Sequence, residues 1–72
     1  MLGNIIIKKL NDFDKYLLLE LVYERPGMFV DTEGKEGISA KKLLRLKLFK
    51  LISKNVYEPT KLGIKIAKYL TI

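Results

Sequence analysis

Apolar and polar residues fall along this chain in blocks whose spacing predicts a series of short elements. Ile5, Ile6 and Ile7 are consecutive β-branched residues, so residues 3–10 read as an extended arm or short strand. Asn11 or Asp12 can then cap a helix, with Asp14 placing a carboxylate at its positive end. That helix is expected to run to Glu24, because Pro26 disfavours helical backbone at Arg25 and Gly27 completes the stop. Leu17, Leu18, Leu21 and Val22 form one broad face, while Tyr16, Leu19 and Tyr23 form a second. A helix apolar over most of its circumference is either central to its fold or shared with another chain. Tyr16, Leu19 and Tyr23 are therefore the expected dimer interface.

Residues 28–30 suit a short strand, 31–37 a polar turn with two glycines, and Ile38 a second short strand pairing back. The stretch that organises the remainder is 39–54, SAKKLLRLKLFKLISK. Ser39 suits an N-cap and Asn55 a left-handed close, with good or fair helix formers from Ala40 to Leu51. Leu44, Leu46 and Leu48 alternate with Arg45 and Lys47, which is a strand pattern. The length of the run favours a helix. At about 100° per residue, Ala40, Leu44, Leu48, Leu51 and Ile52 share the core stripe. Lys42, Leu43, Leu46, Lys50 and Ser53 then face outward, with Lys47 and Lys54 along one edge. Residues 55–59 form a brief extended link, and Thr60 can cap a last helix over 61–70. Gly63 inside that helix costs roughly 1 kcal/mol relative to Ala, so another backbone is expected to pack against it.

Composition narrows the chemistry. The 72 residues make one domain with a small core. There is no cysteine and no histidine, which removes disulfides, thiolate metal sites, the commonest general base and the commonest metal ligand. Asp31, Glu33 and Glu36 lack the alternating ligand spacing of a calcium loop. No phosphate-cradling glycine motif or paired carboxylate on a rigid element is present, so no enzyme activity, metal, cofactor or small-molecule substrate is expected. The apolar runs are too short to span a bilayer, and the lysines after Ile7 are unlike a secretory leader. The expected compartment is the cytoplasm, with no membrane partner. The lysine-rich, cysteine-free composition leans towards a thermophilic source.

The net charge of +6 is unevenly placed. Residues 1–36 hold five basic and seven acidic residues, a balance of −2. Residues 37–72 hold nine basic residues against Glu58 alone, a balance of +8. One strongly positive surface is the expected result, and phosphate backbones or anionic membranes are its natural partners.

The segment 51–70, LISKNVYEPTKLGIKIAKYL, resembles the end of an archaeal or bacterial winged-helix DNA-binding domain. Leu51, Ile52, Tyr57, Thr60, Gly63, Ala67 and Leu70 stand in the matching places. The match is close over 51–70 and loose over 11–72. The resemblance implies a mainly α fold with minor β content, a three-helix winged-helix-like domain spanning 1–72. It also implies that the helix 39–54 meets the DNA major groove. A helix-turn-helix needs two helices, and 39–54 supplies one. A wing needs a two-stranded hairpin, for which 55–59 is too short, so a reduced, wingless form is expected. A second resemblance, to ribbon-helix-helix repressors, rests on Ile5 to Lys9 as a strand before two helices, and in those dimers the strands enter the groove.

The expected function is that of a small transcriptional regulator binding double-stranded DNA as a homodimer. Lys41, Lys42, Arg45, Lys47, Lys50, Lys54 and Lys61 are the expected phosphate contacts, with Ser39, Lys42 or Leu46 reaching bases. The alternative is a protein-interaction or dimerisation module that binds no nucleic acid. Its basis is the surplus of apolar surface at Tyr16, Leu19, Tyr23, Leu43, Leu46 and Phe49.

Overall fold

The computed structural model describes residues 2–25, 27–29 and 33–71, with backbone alone at 2–4, 28 and 29. The chain is mostly helical with a small antiparallel sheet. Helix α1 spans Leu2–Lys8, where an arm or strand was expected. Ile6 is buried and Ile7 packs partly against the core from this helix, so tertiary burial outweighs the β preference of the isoleucines.

Helix α2, Asp12–Leu19, starts where the capping signal put it. The Asn11 side chain accepts from the Asp14 N–H at 2.8 Å, and the Asp14 carboxylate accepts from the Asn11 N–H at 3.0 Å. The helix continues as a π-helical segment, Glu20–Glu24, closed by Arg25 N–H donating to the Glu20 carbonyl at 2.8 Å. Leu17, Leu18 and Leu21 are fully buried and form the centre of the core.

Strand β1 is Met28–Phe29. Helix α3 then spans Lys35–Arg45, which corrects both limits of the organising helix. It begins at Lys35, four residues before Ser39, with Gly34 as its N-cap, and Ile38 lies within it rather than in a strand. It ends nine residues before Lys54. Lys47 adopts a left-handed backbone (φ 67°), and its N–H donates to the Leu44 carbonyl at 3.1 Å. Leu48 N–H donates to the Leu43 carbonyl at 2.9 Å. These two bonds form a Schellman close, with buried Leu43 and Leu48 as its apolar contact. Helix propensity over 46–54 loses to this reversal and to strand pairing, because propensity is a weak prior beside tertiary contacts.

Strands β2, Phe49–Ser53, and β3, Val56–Pro59, form an antiparallel hairpin, so the two-stranded element missing from the expectation is present. Asn55 is left-handed (φ 61°), but it turns the hairpin instead of ending a helix. The sheet order is β1-β3-β2, with Met28 opposite Tyr57 and Phe49 opposite Pro59. Leu43, Phe49 and Tyr57 are buried, whereas Leu51 and Ile52, expected in the core, are exposed.

Helix α4, Lys61–Leu70, matches its expected limits. Thr60 Oγ1 accepts from the Gly63 N–H at 3.0 Å and donates to the Lys47 carbonyl at 2.6 Å. A methyl at Gly63 would overlap the Leu48 carbonyl oxygen and lie 3.0 Å from its carbonyl carbon. The close approach expected at Gly63 is thus to the backbone that enters the hairpin.

Candidate nucleic-acid interface

The position of the basic residues follows from how α3 is fixed to α2. Asp14, at the third position of α2, is buried, and its Oδ1 accepts from Ser39 Oγ at 2.6 Å. Its Oδ2 accepts from Lys42 Nζ at 2.7 Å. Burial alone would raise the Asp14 pKa, but the hydrogen bonds from Lys42, Ser39 and the Asn11 backbone, with the Lys42 charge, outweigh it. The carboxyl is held below its ordinary value and stays ionised.

This anchor changes two of the expected contacts. Ser39 is 4% exposed and its hydroxyl is committed to Asp14, so it is neither an N-cap nor able to reach a base. Lys42 is half-buried in the same anchor and positions α3. Leu43, expected on the outer face, is fully buried, and Leu46 packs partly against the core.

With one side of α3 held this way, its opposite side is exposed. Ile38, 74% exposed, Lys41 and Arg45 follow one another at spacings of three and four and so share a face. Lys35 is exposed one turn earlier. Neither Ile38 nor Lys35 stood among the expected contacts. The signal that finds them is a helix capped at Gly34, which puts 38, 41 and 45 on one stripe.

Lys47, at the left-handed turn after α3, is exposed, and so is Lys54 at the hairpin tip. Lys50 on β2 pairs with Glu58 across the hairpin at 2.9 Å. Both side chains are well exposed, and such a pair is worth about 0–1 kcal/mol, so it opens readily. Lys61 is exposed at the start of α4. Among the described residues, Lys41, Arg45, Lys47, Lys54 and Lys61 form no ion pair. The structure therefore brings a cationic helix face and a lysine-tipped hairpin out of one continuous stretch of chain.

No family model matches this chain, and no curated protein or solved structure matches it either. Any functional reading rests on its own residues.

A second surface lies on α2 and its π-helical extension. Tyr16 and Tyr23 are half-exposed, and with partly buried Leu19 they line an open groove of about 410 Å³ bordered by Glu20 and Glu24. Glu20 is engaged by Arg25 at 3.1 Å. Among the described residues, no helix is long and apolar enough to cross a membrane.

Proposed function

We propose that this protein binds double-stranded DNA, as a small regulator of transcription, through the exposed face of α3 and the hairpin that follows it. The observation that carries the reading is the set of unpaired cations Lys41, Arg45, Lys47, Lys54 and Lys61 on one uninterrupted stretch. Acidic side chains do little to offset them. Glu58 is the only carboxylate residue after Glu36, and it is occupied by Lys50.

The resemblance of 51–70 to winged-helix domains points the same way only through the order of a helix before 51–70 and a last helix opened by Thr60, since the expected form was wingless and its matched Leu51 and Ile52 lie in β2. Lys41, Arg45, Lys47, Lys54 and Lys61 contact phosphates in this reading, Lys50 joins them when its pair opens, and Lys42 holds α3 in place. Ile38, at the centre of the cationic face, is the side chain placed to touch base edges.

Fluorescence anisotropy with a mixed-sequence duplex tests the reading. Log affinity is expected to fall with log salt at a slope of about −3 to −5, as three to five phosphates lose their counterions. Lys41→Glu/Arg45→Glu is expected to weaken binding at least tenfold, since each contact is worth about 1 kcal/mol or more. No binding at low salt would sink the proposal.

A homodimer through Tyr16, Leu19 and Tyr23 is part of the same proposal, supported by the two half-exposed tyrosines in that groove. Sedimentation equilibrium is expected to give a dimer that Tyr16→Glu/Tyr23→Glu converts to a monomer. A monomeric wild type at all concentrations would remove this part and leave the DNA face untouched.

A further inference from the structure

The edge strand β2 carries an apolar pair that the fold leaves uncovered. Phe49 enters the core, and every later residue of the strand is exposed, Leu51 at 52% and Ile52 at 51%. Leu51 is opposite Tyr57 and Ser53 is opposite Val56, so Ile52 is the extra residue of a β-bulge. A bulge twists the strand and re-aims its side chains, which is how two successive apolar residues both come to face solvent. The surroundings of the pair are cationic. Lys47 precedes it, Lys54 follows it, and Lys50 beside it is held only by the exposed pair with Glu58.

We propose that the end of this hairpin is a wedge for duplex DNA, with Leu51 and Ile52 entering the minor groove and unstacking a base step. Lys47, Lys50 and Lys54 hold the phosphates on either side of the opened step. The inference rests on the DNA-binding reading above and adds a deformation of the DNA to it.

Two observations favour DNA over a protein as the occupant. Lysine is depleted in the core of protein interfaces, whereas here it flanks the apolar pair on both sides. The bulge and the edge lysines also oppose pairing of β2 with the same strand of a second copy. Exposed Leu and Ile on a basic projection match the chemistry of minor-groove wedges, which kink DNA by about 20–90°. Flexible pyrimidine–purine steps are the least resistant to such unstacking, so a TpA step is the expected target.

The test uses a duplex with one central TpA step, donor and acceptor dyes at its ends, and 2-aminopurine beside the step. Saturating wild-type protein is expected to shorten the end-to-end distance and to brighten 2-aminopurine as the base loses its neighbour. Leu51→Ser/Ile52→Ser, at two exposed positions, is expected to keep a cooperative melt and salt-steep binding while losing both optical changes. Wild-type binding with no change in either signal would overturn the wedge and leave the DNA reading standing. An equal bend from the double variant would do the same. Absence of all binding would instead remove the DNA reading itself. A wild-type dimer that the double variant dissolves would assign the pair to a second copy and also overturn the wedge.

Discussion

Asp14 shows how one carboxylate can set the orientation of a surface it does not belong to. It receives hydrogen bonds from Asn11, Ser39 and Lys42, and so joins the first turn of α2 to the middle of α3. Asp14→Asn is expected to lower stability by about 2 kcal/mol, the range for a charged hydrogen-bonded group with a partly solvated partner. The midpoint of urea unfolding at neutral pH reads this directly. The folded carboxyl titrates below its ordinary value of 3.8, so its contribution is full above the unfolded value. It is lost as pH falls through the lower folded value. The gap between wild type and Asp14→Asn is therefore expected to narrow only below about pH 4. Gly63 makes an opposite kind of contact, defined by what is missing. Ala is the better helix former by roughly 1 kcal/mol. Gly63→Ala is nevertheless expected to lower the melting temperature, because its methyl meets the Leu48 carbonyl and overpacking costs about 1–3 kcal/mol.

The elements that were legible in the sequence are those whose ends are set by local chemistry. Asn11 with Asp14 and Thr60 with Gly63 each act within a few residues, and α2 and α4 start where these residues put them. The limits of α3 were not legible, because distant or unusual groups set them. Ser39 looks like a cap until its hydroxyl is seen bonded to Asp14, 25 residues away in sequence. The close after α3 uses Lys47 where glycine is usual, so nothing in 46–48 marks a stop except the alternation of Leu44, Leu46 and Leu48 with charged residues. That alternation does not mark the strand itself, because 44–48 hold the end of α3 and its close, and β2 begins at Phe49. Of the candidate contacts, the exposed lysines and Arg45 were legible from charge alone, whereas the loss of Ser39 and the gain of Ile38 needed the true start of the helix. A left-handed lysine costs about 1 kcal/mol relative to glycine. Lys47→Gly is therefore expected to raise the melting temperature by a few degrees, measured by circular dichroism, while removing one cation and weakening DNA binding. Stability and binding would move in opposite directions at a single position.

At the scale of the whole molecule, the chain measures 32 × 18 × 17 Å. Its long dimension is close to one turn of duplex DNA, about 34 Å, so under the DNA-binding proposal one copy reaches few phosphates. The charge is partitioned along the chain. Carboxylates outnumber cations over 1–36, where Asp14 is spent inside the fold, and cations dominate the second half. The hairpin that carries part of that charge is tied off at its root. Thr60 donates its hydroxyl to the Lys47 carbonyl and its N–H to the Leu48 carbonyl, and Gly63 packs against the same Leu48 backbone. Beyond that knot the strands contribute Phe49 and Tyr57 to the core, and β3 also pairs with β1 as far as Val56, so the turn at 54–55 is the part outside the ladder. Lengthening a loop whose ends are already fixed costs only about 0.6 kcal/mol per doubling. The turn at 54–55 can therefore change in length and sequence while the sheet beneath it stays the same, which makes the hairpin tip an interchangeable tool on a fixed handle.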